Sequence, residues 1–558
     1  MSRGLVKPSD AVSHARKSVS RPRYARWRAV TLGSVYVLFA IHMLHWQLAG
    51  KTLAPLEFNE VMYTLELGIL TAGFIFMALA VVATAVFGRF FCSWGCHILA
   101  LQDLSNWILK RLKIRPRPVR SRLLLWVPVV VALYMFVWPQ VERIAAGQVM
   151  PALHLRTDAE GWASFLTTDF WRNLPGPGVI VTTFFVCGFA IVFLMGSRSF
   201  CFYACPYGAV FAAMDWIAPG RIRAHDRCIE CGACTAACSS GIRVHEETGR
   251  YGMVVNERCL RDLDCVAACP EGNLYYGFGR PSLFAPALAD RKVRNAYDFS
   301  LAEEIAMIVI FTITLFSVRG LYDILPFFLS IALALMTAFL TLVAWRLARR
   351  ADVSLGRWRL KAAGKVKVGG FVLAASVSVL LPLVVHSGIV RYHMAAGWRD
   401  FQSLSSAQGV SLEFLDAAIG HLSFVDRHAL LSTPRLQDAQ ARLNYRAGEI
   451  LFRQGRLSEA TARLREGLRL QPENAVAEGE LGALLLEQGD LDGAIEHLRT
   501  TTRVQSGNAD AHHNLAVALQ RAGRIEEAMT EIDFALRLTP DDPQSRAFRR
   551  YLDSIRSR

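Results

Sequence analysis

The chain has 558 residues, which is enough for several domains. Its hydrophobic content of 53% and mean hydropathy of +0.28 are high for a soluble protein. A formal charge of +15 can indicate nucleic-acid binding, but here the basic residues flank apolar stretches. This distribution argues against a nucleic-acid partner and indicates a membrane protein.

Basic and apolar segments alternate from the N-terminus onward. Residues 1–29 form a basic leader, and the apolar run that follows has no A-x-A cleavage signal, so we interpret it as a retained anchor rather than a signal peptide. Runs long enough to cross about 30 Å of hydrocarbon predict seven spans, at 30–49, 66–88, 123–140, 178–197, 303–320, 324–345 and 368–390.

The loops between these runs predict the orientation. Residues 1–29, 89–122 and 346–367 each carry eight Lys or Arg and one acidic residue, whereas 50–65 and 139–177 have no basic excess. The positive-inside rule therefore places the N-terminus and the long segment after the fourth span in the cytoplasm of a bacterial inner-membrane protein. Seven crossings place the C-terminus outside, in the periplasm of a Gram-negative cell.

Two C-x3-C pairs follow the second and fourth spans. "GRFFCSWGCHILALQDL" contains Cys92 and Cys96, and "SRSFCFYACPYGAVFAAMDW" contains Cys201 and Cys205. In both, an aromatic residue precedes the pair and an amphipathic helix follows it, which argues against chance. The pairs could bind a further cluster, hold copper or another metal with His97 nearby, or form a redox-active dithiol. The spacing and the cytoplasmic location exclude a c-type haem site.

"CIECGACTAACSS" is the strongest signal in the chain. Its C-x2-C-x2-C-x3-C spacing is that of a bacterial iron–sulfur loop, although Ser239 replaces the usual following proline. Structural zinc normally takes two C-x2-C pairs separated by a longer spacer, so four thiolates this close together favour a cubane cluster. The candidate ligands are Cys228, Cys231, Cys234 and Cys238.

A second run, "CLRDLDCVAACP", has Asp262 where the second cysteine is expected. In two-cluster ferredoxins the fourth cysteine of each run binds the cluster of the other run. This rule predicts one [4Fe–4S] cluster on Cys228, Cys231, Cys234 and Cys269, and a second on Cys259, Cys265 and Cys238 with Asp262 at the remaining corner. Because carboxylate is a harder ligand than thiolate, we expect the second to be [4Fe–4S] with Asp or water there, or [3Fe–4S]. Asp262 could instead simply face solvent.

From about residue 441 the sequence repeats every 34 residues. Gly455, Gly489 and Gly523 align in the three units. This period resembles that of tetratricopeptide repeats, in which small residues allow two antiparallel helices to pack and a glycine lies at the turn. Stacked units of this kind predict a solenoid whose concave face docks a protein partner, or else a purely structural cap.

Two histidines lie in the first span. His42 and His45 are three residues apart and therefore share a helix face. Histidine inside a membrane is costly, so the pair is a candidate contact for quinone or haem b. The alternative is an interfacial pair beside Trp46. The lone Cys187 in the fourth span is expected to be a packing residue.

Residues 25 to 280 resemble the membrane polyferredoxins of the NapH, NosR and CcoG type. The resemblance rests on the paired C-x3-C motifs followed by the two ferredoxin runs, and the chain departs from the pattern at His97, Asp262 and Ser239. The flavin-binding domain that NosR carries is not recognisable here. The resemblance implies an electron carrier between membrane quinol, cytoplasmic clusters and a periplasmic partner.

The sequence therefore predicts a mainly α protein with about seven membrane helices, an α+β two-cluster ferredoxin insert and a tetratricopeptide α-solenoid. The predicted domains are a basic N-terminus at 1–29, a four-helix membrane domain at 30–220, the ferredoxin domain at 221–280, a three-helix membrane domain at 281–390, a helical linker at 391–440 and the repeats at 441–558. The expected function is electron transfer between the quinol pool or a cytoplasmic donor and a periplasmic redox partner. The alternatives are an assembly factor that reduces a metal or thiol for a respiratory metalloenzyme, and a redox sensor. No catalytic residue is predicted.

Overall fold

The structure is a computed structural model. It describes residues 24–557 except 55, 59, 115, 157–163, 172–175, 226–227, 290–296, 357, 404–410 and 432. Most of the basic leader predicted at 1–29 therefore lies outside the described residues. The chain divides into two compact units, Met1–Gly320 with Ile324–Val384, and Leu321–Asp323 with Val385–Arg558.

Six described helices are long and apolar enough to cross a membrane. They are Tyr24–Ala49, Leu124–Ala145, Pro177–Met195, Leu301–Val318, Phe327–Arg349 and Val368–Ser403. Each overlaps one predicted span, and the remaining predicted span, 66–88, overlaps a shorter apolar helix, Ala72–Phe87. A membrane protein is thus supported, while the count of seven spans stays a prediction.

The helix Ala72–Phe87 begins later than its apolar run for a local reason. Gly68 has a φ of +74°, a left-handed conformation that breaks a helix, and the Thr71 side chain caps the helix by accepting from the backbone N–H of Phe74. The helix therefore has 16 residues and is about 24 Å long at 1.5 Å per residue. It is shorter than the hydrocarbon core of a typical bilayer.

The cysteine-rich segment begins and ends with paired strands. Strand Gly220–Ala224 pairs antiparallel with Leu274–Phe278, so that Gly220 lies opposite Phe278. The helices Ala233–Ala237 and Asp264–Ala268 lie between the strands in sequence and contact each other. Ile222, Ile242, Val244, Val254 and Leu274 form a small core with the buried cysteines of both runs.

The other described elements of the first unit are short. The helices are Glu60–Leu67, Phe90–Trp94, His97–Arg111, Ser199–Tyr203, Pro206–Ile217 and Val244–Tyr251, with a 3-10 turn at Ser282–Phe284. Strand Thr52–Leu53 pairs with Leu166–Thr167, and Val353–Leu355, Trp358–Ala362 and Lys365–Val366 form a three-stranded antiparallel sheet.

The second unit is built from helical hairpins. Its helices after Val368–Ser403 are Leu412–His428, Pro434–Arg453, Leu457–Leu470, Ala475–Gln488, Leu491–Val504, Ala509–Arg521, Ile525–Leu538 and Pro543–Arg556. Gly455, Gly489 and Gly523 lie at the turns with φ of +74°, +86° and +79°, which glycine adopts without strain. A Cβ on Gly482 would come within 2.6 Å of Leu498 Cγ, which explains the small residue at this contact. The predicted repeat architecture is confirmed.

Candidate iron–sulfur sites

The two ferredoxin-type runs follow the same backbone path. Two residues after the first cysteine of each run, Glu230 and Arg261 have φ of +55° and +59°. Four residues after it, Gly232 and Leu263 have φ of +72° and +62°. A left-handed leucine costs about 1–2 kcal/mol, and such strain persists where the surrounding structure imposes it. The second run therefore keeps the loop shape of the first even though Asp262 replaces a cysteine.

The first candidate ligand group surrounds a small cavity near the surface. Cys228, Cys231 and Cys234 of the first run line this cavity together with Cys269 of the second run. Cys228 and Cys231 are exposed, whereas Cys234 is buried. The backbone N–H of Asn273 donates to the Cys269 sulfur at 3.3 Å. The structure thus brings together the crossed set of four cysteines that the sequence predicts.

The second candidate ligand group is more buried. Cys259 and Cys265 are buried, Cys238 is half-buried and Asp262 is 8% exposed. Burial raises the pKa of the Cys265 thiol well above its usual range, and the nearby charges of Cys259, Asp262 and Cys238 raise it further. The charge of Cys234 acts on the same thiol. The two ligand groups therefore adjoin each other.

The Asp262 carboxylate is held by polar groups and does not face solvent. Its Oδ2 accepts a hydrogen bond from the Ser239 hydroxyl and lies 3.8 Å from an Arg198 nitrogen. Arg198 Nε donates to the same hydroxyl at 3.2 Å, and its guanidinium pairs with Asp103 at 2.7 Å. The two departures from the ferredoxin pattern, Asp262 and Ser239, are thus in direct contact.

The two C-x3-C pairs have the same local fold. In each pair a five-residue helix carries the first cysteine, and the second cysteine is the N-cap of a longer helix. The first backbone N–H groups of a helix have no partner within it and point outward from the N-terminus. Cys92 and Cys201 lie on the short helices, and Cys96 and Cys205 cap His97–Arg111 and Pro206–Ile217.

The four thiols of the C-x3-C pairs come together in one place. Burial raises the pKa of Cys201 well above its usual range, and charges on Cys96, Cys205 and Cys92 act on it. Burial raises the pKa of Cys205 to about 12, with Cys96 and Cys92 as further causes. The sequence predicted both pairs without indicating that they meet.

Two buried arginines at this place were missed in the sequence. Arg89 and Arg198 are 3% and 0% exposed, and each lies three residues before the first cysteine of its pair. Arg89 hydrogen-bonds the Cys92 thiol, and the charge of Arg198 acts on Cys201. The arginine is duplicated in the sequence with the cysteine pair, but a basic residue in a loop is equally a signal of membrane topology.

The predicted histidine sites are less well defined. His42 Nε2 lies 3.1 Å from the Leu53 carbonyl, and His45 Nδ1 lies 3.0 Å from Thr52 Oγ1. Each ring thus uses one nitrogen in a contact with the strand Thr52–Leu53. The His97 side chain is exposed. The quinone or haem role of the pair and the metal role of His97 stay predictions.

The donor sets fit iron–sulfur clusters better than single metal ions. Among the described residues, no three His, Cys, Asp or Glu side chains are grouped as ligands of one metal ion. A cluster keeps its thiolates further apart than one ion does, because several iron and sulfide ions lie between them. A group of thiolates around a cavity has the wider separation that a cluster needs. Cys228, Cys231, Cys234 and Cys269 form such a group.

Family models match two parts of the chain. A 4Fe-4S binding domain matches residues 69–116 and 179–225, which contain the two C-x3-C pairs. A tetratricopeptide repeat matches residues 451–505 and 485–550. With the apolar helices, these matches confirm the prediction of an iron–sulfur membrane protein with C-terminal tetratricopeptide repeats.

Known relatives cover parts of the chain. Escherichia coli (strain K12) YccM, whose name describes an electron transport protein, is 27% identical over 230 residues, which are 39% of this chain and 59% of YccM. The methylamine utilization ferredoxin-type protein MauN of Methylobacillus flagellatus is 26% identical over 154 residues, 27% of this chain and 48% of MauN. A ferredoxin of Pyrobaculum islandicum is 44% identical over 45 residues, 8% of this chain and 41% of the ferredoxin. The chain thus spans less than two thirds of each of these three proteins.

Two solved structures each cover about a third of this chain at low identity. MamA of Desulfovibrio magneticus RS-1 is 18% identical, covers 30% of this chain and 86% of its own, and has a TM-score of 0.23. YrrB, described as a tetratricopeptide protein with an unusual peptide-binding site, is 18% identical and covers 33% of this chain and 91% of its own, with a TM-score of 0.22.

Serine substitutions test the crossed ligand groups. Cys269→Ser lies in the second run but should disturb the cluster of the first run, because Cys269 lines the cavity with Cys228, Cys231 and Cys234. Cys238→Ser should disturb the other cluster. The measurement is the EPR spectrum and iron content of anaerobically purified full-length protein, with Cys187→Ala as the control. If each variant lost the cluster of its own run, the crossed arrangement would be wrong.

Proposed function

We propose that the protein transfers single electrons between a donor and a partner protein through two iron–sulfur clusters, held by the two crossed ligand groups. The supporting observation is the adjacency of these groups, because Cys234 of the first and Cys259 and Cys265 of the second lie in one small buried core. Iron–sulfur clusters, when bound, supply one-electron redox chemistry. The names of YccM and MauN, an electron transport and a ferredoxin-type protein, agree with this role.

The two ligand groups differ in exposure, and this difference suits different tasks. Cys228 and Cys231 lie at the surface, where a soluble donor can approach. Cys259 and Cys265 are buried, away from solvent. Backbone N–H groups donate to the last cysteine of both runs. Ile242 donates to the Cys238 sulfur and Asn273 to the Cys269 sulfur, each from four positions further along the chain. Such bonds favour thiolate over thiol and so favour a bound cluster.

The proposed location of the protein is the inner membrane of a bacterium. Basic loops support an inner-membrane protein with the ferredoxin-type segment on the cytoplasmic side and the repeats on the outer side. The quinol pool or a cytoplasmic donor would supply electrons, and a periplasmic redox protein would receive them. The tetratricopeptide repeats are the part that docks this partner, since stacked repeats offer a concave surface for binding.

Electron transfer can be tested with full-length protein purified anaerobically in detergent. A short-chain quinol or a reduced soluble ferredoxin is expected to bleach the visible iron–sulfur absorption, and ferricyanide should restore it. Cys259→Ser should slow the transfer at least about tenfold, which corresponds to about 1.4 kcal/mol. Cys187→Ala, a substitution of a packing residue, should not. Absence of bleaching with both donor classes would contradict the proposal.

In this proposal Asp262 makes the second cluster differ from the first, because a carboxylate takes the position of one thiolate. Asp262→Cys should produce an ordinary four-thiolate cubane and remove any [3Fe–4S] signal, because thiolate binds iron more firmly than carboxylate does. Asp262→Asn is the matched control, since it keeps the shape and removes the charge that faces Arg198. The measurement is a redox titration followed by EPR. Spectra and potentials that are the same in Asp262→Cys and the unmodified protein would make Asp262 a bystander.

A further inference from the structure

We propose that the helix His97–Arg111 ends in a binding surface for anionic phospholipid headgroups. This headgroup surface consists of Trp107, Lys110, Arg111 and Lys113. Lipid binding here is separate from the proposed electron transfer and requires only the proposed location in a membrane. It gives a partner to side chains that the candidate iron–sulfur sites do not use.

The helix belongs to a duplicated motif that has the same exposed apolar pair in both copies. Trp107 follows the second cysteine of its C-x3-C pair at the same distance as Trp216 follows the second cysteine of the other pair, and an isoleucine comes next in both. The exposed fractions are 52% for Trp107 and 50% for Trp216, and they are 36% and 47% for Ile108 and Ile217. A single exposed apolar residue is ordinary, but the same exposed pair in two copies indicates similar surroundings.

The first copy runs outward from membrane depth. The Tyr36 hydroxyl donates to the His97 carbonyl at 2.9 Å, and Tyr36 lies halfway along the membrane-length helix Tyr24–Ala49. Further along the first copy, Asp103 pairs at 3.1 Å with Arg28, which lies near the beginning of the same membrane-length helix. The first copy therefore begins beside the middle of that helix and runs toward its N-terminal end, which is cytoplasmic in the proposed topology.

The second copy, the helix Pro206–Ile217, has the same course. The Tyr207 ring, near its beginning, lies 6.0 Å from the Phe136 ring, in the interior of a membrane-length helix. Just beyond its end, a Cβ on Gly220 would lie 3.0 Å from the Cα of Phe87, the last residue of the short apolar helix. Both tryptophans thus lie where a helix leaves apolar surroundings, and tryptophan is enriched at the boundary between headgroups and acyl chains.

Basic side chains complete the surface in the first copy. Lys110, Arg111 and Lys113 are all exposed. The guanidinium carbon of Arg111 lies 4.2 Å from the centroid of the Trp107 ring, so that cation and aromatic ring form one face. The acidic residue of the helix, Asp103, pairs with two buried arginines instead. Cations beside an interfacial tryptophan suit the phosphate group of an anionic lipid.

An acidic protein could satisfy the same charges, but the apolar residues favour lipid. Leu104, Trp107, Ile108 and Leu112 follow one another at helical spacing, and each is at least 36% exposed. The opposite face of the helix is buried against the protein, through residues that include Leu99 and Leu109. A helix with apolar residues on both faces needs cover on both. Since this helix starts among membrane helices, acyl chains supply the second cover.

The test measures phosphatidylglycerol bound to full-length protein in detergent by native mass spectrometry, with phosphatidylcholine as the neutral competitor. The double variant Lys110→Gln/Arg111→Gln should bind phosphatidylglycerol at least about tenfold more weakly, because each basic residue near an anionic headgroup adds to the attraction. The matched control is Arg442→Gln/Arg453→Gln, which removes two exposed charges from the helix Pro434–Arg453 and should bind as the unmodified protein does.

A photoreactive side chain identifies what covers the surface. With p-benzoylphenylalanine in place of Trp107, irradiation of full-length protein in nanodiscs should give an adduct with lipid. The same group in place of Tyr551, which is 49% exposed in the repeat unit, should give none. Variants that keep their visible iron–sulfur absorption are folded.

Three outcomes would overturn the headgroup surface. One is equal binding of phosphatidylglycerol by the double variant and the unmodified protein. Another is displacement of the lipid by inorganic phosphate, which would make this a site for free phosphate. The third is an adduct at position 107 with protein alone, which would indicate a protein partner. Absence of iron–sulfur absorption from the unmodified protein would instead contradict the proposed function, so the two failures can be distinguished.

Discussion

A buried arginine, Arg198, is the group on which the arrangement of the candidate sites depends. A guanidinium removed from water is costly unless anions and hydrogen-bond acceptors surround it. Here Asp103 lies 2.7 Å away, Asp262 lies 3.8 Å away, and the Ser239 hydroxyl accepts from Nε. These partners come from a membrane-unit helix and from both ferredoxin-type runs. The contacts that neutralise Arg198 therefore hold the cysteine-rich segment against the helices of the C-x3-C pairs.

The same constraint explains why the unusual residues occur together. Proline at position 239 could not donate to Asp262, and cysteine at position 262 could not pair with Arg198 as a carboxylate does. One polar network therefore explains both departures from the ferredoxin pattern. It consists of Ser239, Asp262 and Arg198. A second network is built in the same way, since buried Asp215 pairs with Arg221 and Arg261 and accepts from the backbone N–H of Arg89.

Local patterns in the sequence were sufficient for several features. The 34-residue period identified the hairpins because each unit repeats its own packing, and the turn glycines have the left-handed φ that the motif needs. The apolar runs identified the membrane helices by length and composition. The spacing of the cysteines, with the crossing rule of two-cluster ferredoxins, grouped Cys269 with the first run as the cavity does.

Long-range contacts were beyond the reach of those patterns. The meeting of Cys92 with Cys201 and the burial of Arg89 and Arg198 depend on how distant helices pack. A charge in a basic loop gives the same topology signal whether it is buried or exposed. The start of the helix Ala72–Phe87 depended on a glycine and a threonine cap inside an apolar run, where hydropathy alone shows no break.

The central claim is that the iron–sulfur sites adjoin one another as a relay. Magnetic interaction between reduced centres tests it most directly, by EPR line shape and spin relaxation in fully reduced, full-length protein. We predict broadened, fast-relaxing signals that become narrower and relax more slowly in Cys269→Ser and in Cys238→Ser. A spectrum equal to the sum of isolated clusters, unchanged in relaxation when either cysteine is replaced, would contradict it.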